Sequence, residues 1–177
     1  MIEGRLAGLR ARHAQDIAVL HAELYEDVAT RSRADSRPWR PLSAPGGHSP
    51  YEPGPPSDAV AAFSVVERAT GALAGEALLW GIDAHNRTAH LGMSLLPGSR
   101  GRGLGRETVT LLCRYGFTVR GLHRLQVDTL ADNTAMIAAA RSSGFALEGT
   151  LRRAAWVYGE FTDEVVLGLL AEEWSPA

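Results

Sequence analysis

The chain has 177 residues, 45% of them hydrophobic and 21% charged, with a formal net charge of -2. That length and composition suit one soluble domain with a real core. The slightly acidic balance argues against a general nucleic-acid binder, which would carry a basic surplus.

All 18 positive side chains are arginine. With no lysine, a lysine-dependent phosphate loop and a Schiff-base mechanism are excluded. The single cysteine, Cys113, forms no internal disulfide and sits in an apolar helical run, which reads as a buried structural thiol. No apolar stretch approaches the ~18 residues a membrane span needs. The polar, arginine-containing start does not resemble a signal peptide, so the reducing cytoplasm is the expected compartment. Residues 1–5 also spell a protease-site tag, and no reading here rests on anything before Leu6.

In chain order, residues 6–11 read as a short strand. Residues 15–30 place Ile17, Leu20, Leu24 and Val28 at helical spacing. Residues 31–58 then change character, with Pro38, Pro41, Pro45, Pro50, Pro53, Pro55, Pro56, Gly46 and Gly47. That density forbids regular structure and predicts a long surface loop. Its aromatics, Trp39 and Tyr51, either form a substrate wall or pin the loop to the body. Three strand-like runs follow at 60–67, 72–81 and 88–96, joined by tight turns that imply antiparallel neighbours. After a glycine-rich loop at 97–103, a helix is expected over 104–120. Its buried face carries Leu104, Thr108, Leu111, Tyr115 and Val119. A strand at 122–130, a helix at 133–142 capped by Gly144, and a hairpin over Gly159 complete the pattern. The fold class is α/β: one domain with a mixed, mostly antiparallel sheet flanked by helices. There are no internal repeats.

The sharpest feature is Arg100-Gly101-Arg102-Gly103-Leu104-Gly105, between a strand and a helix. Alternating glycines let backbone approach a ligand closely. A helix start offers free N–H groups and the positive end of a dipole. With Arg100, Arg102 and Arg106 adding charge, this is an anion site suited to a pyrophosphate. A tight turn without a ligand is the plainer reading. A Walker loop is ruled out by the missing lysine. The dinucleotide fingerprint fails because its third glycine position is Arg106. Asp128, ending the next strand, is weak support for a dinucleotide.

The loop fits Arg-x-x-Gly-x-Gly and resembles the acetyl-CoA pyrophosphate loop of the GNAT (Gcn5-related N-acetyltransferase) superfamily. Several other stretches resemble its Rim-type group: Ala89-His90-Leu91-Gly92-Met93 leading into the loop, the helix from Asn133 to Gly144-Phe145, Glu148-Gly149-x-Leu151-Arg152, Gly159-x-x-x-Asp163, and Trp174. The resemblance spans roughly residues 5–174. It implies transfer of acetyl from acetyl-CoA to a primary amine by direct attack.

By position, Leu95 and Leu96 would offer backbone groups to the cofactor's pantetheine arm in a gap between two strands. Arg100, Gly101, Arg102, Gly103, Leu104, Gly105 and Arg106 would hold the pyrophosphate, and Asn133 would bond the arm or simply cap its helix. His90 would be the general base, where many relatives carry Glu; a structurally satisfied strand histidine is the other reading. Asp128 and Glu76 are further base candidates. Two positions depart from the family. Ala140 stands where many members place an acidic Tyr, and Met136 where Rim-type relatives place Ser. Neither can donate a proton to the leaving thiolate, which leaves Tyr158 or water. Trp156, beside Tyr158 on the hairpin, would flank the acceptor together with Trp39 and Tyr51. No metal site is expected. The same departures keep open a non-catalytic acyl-CoA-binding module. Family members occur as homodimers or monomers, and the sequence leaves that choice open.

Overall fold

The computed structural model describes residues 1–43 and 49–175. Pro45, Gly46 and Gly47 of the proline-rich stretch lie outside the described residues. Eight strands form one sheet: β1 (Ile2–Glu3), β2 (Ala7–Arg10), β3 (Val60–Glu67), β4 (Leu73–Asp83), β5 (Thr88–Leu95), β6 (Arg124–Leu130), β7 (Ala146–Val157) and β8 (Glu160–Leu170). Their spatial order is β1-β2-β3-β4-β5-β6-β8-β7. Every neighbouring pair is antiparallel except β5 and β6.

Helices α3 (Leu104–Arg114) and α4 (Thr134–Ser142) cover one face of the sheet. Val109, Leu112, Ala139 and Ala140 meet Val65, Ala77, Leu79, Leu91, Leu125 and Leu167 there in the main core. Strand alternation sends Ser64 and Glu76 to the opposite face, which carries α1 (Ala14–Leu24) and α2 (Val28–Ala34). A second cluster of Leu20, Leu24, Tyr25 and Tyr51 holds that layer, with Trp39 and Leu96 packed on it.

Three expectations need correction. The helix over 15–30 is two helices. Asp27 breaks it by accepting from the N–H groups of Ala29 and Thr30, both at 3.1 Å, so a new N-cap competes with continuation. Its second half extends to Ala34, inside the stretch expected to be loop. The helix over 104–120 is regular only to Arg114; residues 115–119 form a π turn. Within that turn Gly116 packs closely on β6, where a Cβ would lie 3.1 Å from Leu125 Cδ1. Beyond it Val119 leaves the buried face and is 63% exposed.

The tag-like start is woven into the sheet. Ile2 and Glu3 pair with Leu9 and Gly8. Glu107, in the first turn of α3, accepts the N–H groups of Arg5, Leu6 and Ala7 at 2.6, 2.6 and 2.5 Å. These bonds fix the start of β2 against the helix that opens the glycine-rich loop. Glu107→Ala leaves those donors without a partner and is expected to lower stability by about 2 kcal/mol. Denaturant unfolding monitored by circular dichroism measures it.

On the other face, buried Asp16 ties α1 to the sheet. It accepts from Arg10 at 2.6 Å, the His13 N–H at 2.8 Å and the Ser64 hydroxyl at 2.7 Å. Burial alone would raise its pKa. The bonds from Arg10, His13 and Ser64, with the Arg10 charge, outweigh burial and hold the carboxyl far below the usual range. A carboxyl that titrates lower folded than unfolded stabilises fully above its unfolded value of about 4, and that stability is lost as pH falls toward the folded value. Thermal stability of the wild type should therefore fall as pH drops below about 4. Asp16→Asn should flatten that fall while lowering stability at pH 7 by about 3 kcal/mol. Thermal melts across pH for both proteins check this.

Candidate active site

The sheet opens where β5 meets β6. Parallel pairing covers only Thr88↔Arg124, Ala89↔Leu125 and His90↔Gln126. Beyond that point β5 stays with β4, through to Gly75↔Leu95, and β6 stays with β8, through to Leu130↔Glu164. The inner edges of residues 91–95 and 127–130 have no strand partner. Gly75 draws β5 toward β4: a Cβ there would sit 2.3 Å from the Ser94 carbonyl oxygen.

A cleft of about 1530 Å³ occupies this gap and continues across the α2 face. That is larger than a typical single-ligand pocket, and it suits a long ligand together with a second substrate. Its entrance is the glycine-rich loop. Arg100, Gly101, Gly103, Gly105 and Arg106 line it, and Gly103 caps α3 with φ +81. Leu95 lines the gap beside them. Gly105 is a close-approach position, since a Cβ there would lie 3.1 Å from Met93 Cε. Asn133 lines the far wall. Its oxygen accepts the Met136 N–H at 3.2 Å and its amide donates to Thr129 at 3.0 Å, so it serves as the α4 cap.

Several expected positions sit elsewhere. Arg102 turns away to pair with Glu67 of β3 and lines a small neighbouring pocket instead. The Leu104 side chain is buried in the core, and Leu96 packs against the second cluster. Trp39 is a pin: its indole donates to the Tyr25 carbonyl at 2.9 Å, and it lies outside the cleft lining. Tyr51 does both things expected of the loop aromatics. It is buried in the second cluster and also lines the cleft. Tyr158 stands at the β7–β8 turn with φ +42, 69% exposed and outside the lining, while Trp156 lines the cleft. The turn chemistry of Tyr158-Gly159 explains this, since a tight hairpin needs positive φ at both central residues.

The α2 end of the cleft is built from charge pairs that the sequence reading missed. Glu76 accepts from Arg12 at 2.8 Å, and burial raises its pKa against the opposing pull of that guanidinium. Asp35 pairs with both Arg31 and Arg37. Arg33 of α2 reaches Asp132 at 2.6 Å and so ties α2 to the β6–α4 loop. Arg31 lies over the Tyr25 and Tyr51 rings at 5.3 and 6.0 Å. Arg12–Glu76 and Arg33–Asp132 carry no local signal, because each joins segments far apart in the chain, whereas Arg31–Asp35 and Asp35–Arg37 are local pairs at i,i+4 and i,i+2 spacing.

Where the two strands part, His90 Nδ1 lies 2.6 Å from Asp128 Oδ2. The Trp80 ring stacks on the imidazole at 5.3 Å, tilted by 25°. Among the described residues no cluster of His, Cys, Asp or Glu is placed to hold a metal ion. No described helix is long and apolar enough to cross a membrane.

Residues 7–146 match the acetyltransferase (GNAT) domain family. The chain belongs to that family, whose members use acetyl-CoA. An uncharacterized N-acetyltransferase, p20, of Bacillus licheniformis is 31% identical over 113 residues, 64% of each chain. Spermidine N(1)-acetyltransferase of Escherichia coli is 27% identical over 104 residues, 59% of this chain and 56% of that one. The matches thus span less than two thirds of these relatives. In structure, the spermidine N-acetyltransferase of Vibrio cholerae, solved with CoA and spermine, superposes with a TM-score of 0.77. It is 21% identical and covers 95% of this chain and 97% of that one. That likeness bears on the fold.

The loop, the gap and the cleft fit the cofactor of this GNAT chain. Among the described residues Arg106 has no carboxylate partner, and it lines the entrance in the first turn of α3. Arg106→Ala should weaken acetyl-CoA binding about tenfold, which is ~1.4 kcal/mol, without lowering thermal stability. Calorimetric titration alongside a melt checks both halves.

Proposed function

We propose that this chain is an acetyl-CoA-dependent N-acetyltransferase of the Rim-type group that acetylates a primary amine by direct attack. The observation that carries the reading is the parting of β5 from β6 directly below a glycine-rich helix start. The loop and the α3 N-terminus would hold the pyrophosphate. Residues 91–95 would pair the pantetheine arm as if it were an added strand. Acetyl-CoA, when bound, supplies the activated thioester. A β5 backbone N–H aimed into the gap would polarise its carbonyl.

Direct attack fits the cysteine. Cys113 lies in the core, and burial pushes its thiol up to about 12, so it offers no thiolate for a covalent intermediate. The acceptor would enter from the α2 side, between Glu76, Tyr51, Trp80 and Trp156. Of the acidic groups lining the cleft, Asp35, Glu76 and Asp132 are paired with arginines, while Glu52, Asp128 and Glu164 have no arginine partner among the described residues. The acceptor would be a primary amine, such as a peptide N-terminus, an amino acid or a small amine drug. A second reading, an acyl-CoA-binding module without turnover, draws on Ala140 and Met136. The first is buried in the core and the second presents only a thioether to the cleft.

Calorimetry with acetyl-CoA, NADH and ATP, followed by thiol release with spermidine, an alanine-initiated peptide and free amino acids, tests both readings. Selective acetyl-CoA binding with release for at least one amine is expected. Binding without release for any amine selects the non-catalytic module. No acetyl-CoA binding overturns the cofactor assignment.

A further inference from the structure

The α2 end of the cleft brings together three guanidiniums and only two carboxylates that pair with them. Arg12, Arg31 and Arg37 line it there, with Glu76 and Asp35 as their partners. Glu52 lines the same cleft and pairs with none of the three among the described residues. Arg12 is matched to Glu76 at 2.8 Å. Asp35 is shared instead. Arg37 takes it as a fork, Nε to Oδ1 at 3.0 Å and Nη2 to Oδ2 at 2.7 Å, and Arg31 bonds the same Oδ2. Burial would raise the Asp35 carboxyl, but the bonds from Arg37 and the charges of Arg31 and Arg37 hold it below the usual range. One negative charge therefore stands between two positive ones. Arg31 is the enclosed member of that pair. Its side chain is 9% exposed, against 78% for Arg37. It lies over the Tyr25 and Tyr51 rings, which fix its plane. Of the five N–H donors of a guanidinium, one goes to Asp35 and one reaches Tyr51 Oη over a long 3.4 Å. The others meet no acceptor among the described residues. A held guanidinium with donors to spare beside a cleft is a site for an anion, and its planar fork fits a carboxylate.

We propose that Arg31, with Arg37 beside it, binds a carboxylate of the acceptor, so that the molecule acetylated is a small amino carboxylate such as a free amino acid. This rests on the transferase reading. The phosphates of acetyl-CoA would be met at the loop end by Arg100 and Arg106, so the anion received under α2 belongs to the second substrate. That substrate is anchored by its acid group at Arg31 and offers its amine toward the gap between β5 and β6. Asp35 and the two tyrosine rings hold the fork in place beforehand, so little ordering is left for binding to impose. An amine without an acid group leaves the surplus charge unmatched and is discriminated against for that reason. Arg31 is thus a specificity residue, touching the acid group of the acceptor and not the reacting atoms.

Thiol release from acetyl-CoA, compared across matched acceptors, tests this. Each set holds an amino acid, its carboxamide and the amine left when the carboxylate is removed, and the sets span acidic, basic and apolar side chains. At least one amino acid should exceed both of its partners in kcat/KM by about tenfold or more, the loss expected when a charge-assisted hydrogen bond is removed. Arg31→Lys keeps the charge but loses the fork. It should cut that preference at least ~5-fold, by raising KM for the amino acid more than it changes kcat. Arg37→Ala, at an exposed guanidinium, should cut it by a smaller factor and covers the case in which the Arg31 variant does not fold. Calorimetric titration of the preferred amino acid into the CoA-bound chain reads the same contact without turnover, and Arg31→Lys should weaken it. Decarboxylated amines used as well as their parent amino acids, or variants that slow both classes alike, overturn the carboxylate site and leave the transferase reading standing. A C-terminally amidated peptide that outpaces every amino acid does the same. Wild-type chain that binds acetyl-CoA but releases no thiol with any amine overturns the transferase reading, and this assignment with it.

Discussion

The separation of β5 from β6 is the constraint on which the rest depends. A buried strand edge without partners is normally expensive, because each free N–H and C=O must be satisfied somehow. Here the outer edges carry the load. β5 is laddered to β4 over most of its length, and β6 to β8 over all of it. Each strand therefore stays ordered while its inner edge faces the cleft. Gly75 and Gly92 sharpen the arrangement. The first lets the β4 backbone close on Ser94, and the second lets Trp80 lie across β5. Both glycines let β4 and β5 pack closely on the side away from the gap.

The second consequence is electrostatic. The loop end gathers Arg100 and Arg106 beside the α3 N-terminus, a site for anions. The opposite end buries Arg12 with Glu76, and Arg31 with Asp35. Such pairs add little net stability once desolvation is counted, but removing one partner is costly. They therefore act as a rigid wall whose shape is fixed by matched charges from three segments of the chain. Arg12 alone reaches the Tyr51 carbonyl at 2.9 Å, the Phe63 carbonyl at 3.2 Å and Glu76. This wall places Tyr51 against the α2 side of the cleft.

Features governed by neighbours in sequence were legible. The strand at 60–67, the α4 cap at Asn133 and the turn at Gly159 all follow from local pattern and turn chemistry. The glycine-rich loop was legible as a helix start because Gly103 and Gly105 answer backbone requirements. What failed depended on tertiary competition. Periodicity ran through 15–30 because it does not register that Asp27 can cap a second helix. It ran through 104–120 because it does not register the π turn over residues 115–119. Arg102 looked equivalent to Arg100 and Arg106, yet Glu67 lies in a strand more than thirty residues upstream, and that pairing takes Arg102 out of the site. The His90–Asp128 contact was half legible. His90 and Asp128 each stood out as titratable strand residues, but their contact needs the β5–β6 register, which no local pattern encodes.

The two walls of the gap differ in what they present. On the α4 side, Thr134, Met136, Ala139 and Ser142 line the cleft, with the Ala140 side chain buried in the core behind them. That helix face is mostly apolar, with the Thr134 and Ser142 hydroxyls as its polar groups. On the sheet side, the rung at which the strands part carries an imidazole, a carboxylate, and the Gln126–Arg124–Glu148 series that fixes the carboxylate. The branch of β5 and β6 therefore gives the gap a polar sheet side, set by the register of two strands, and a mostly apolar helix side, set by the face that α4 turns to it.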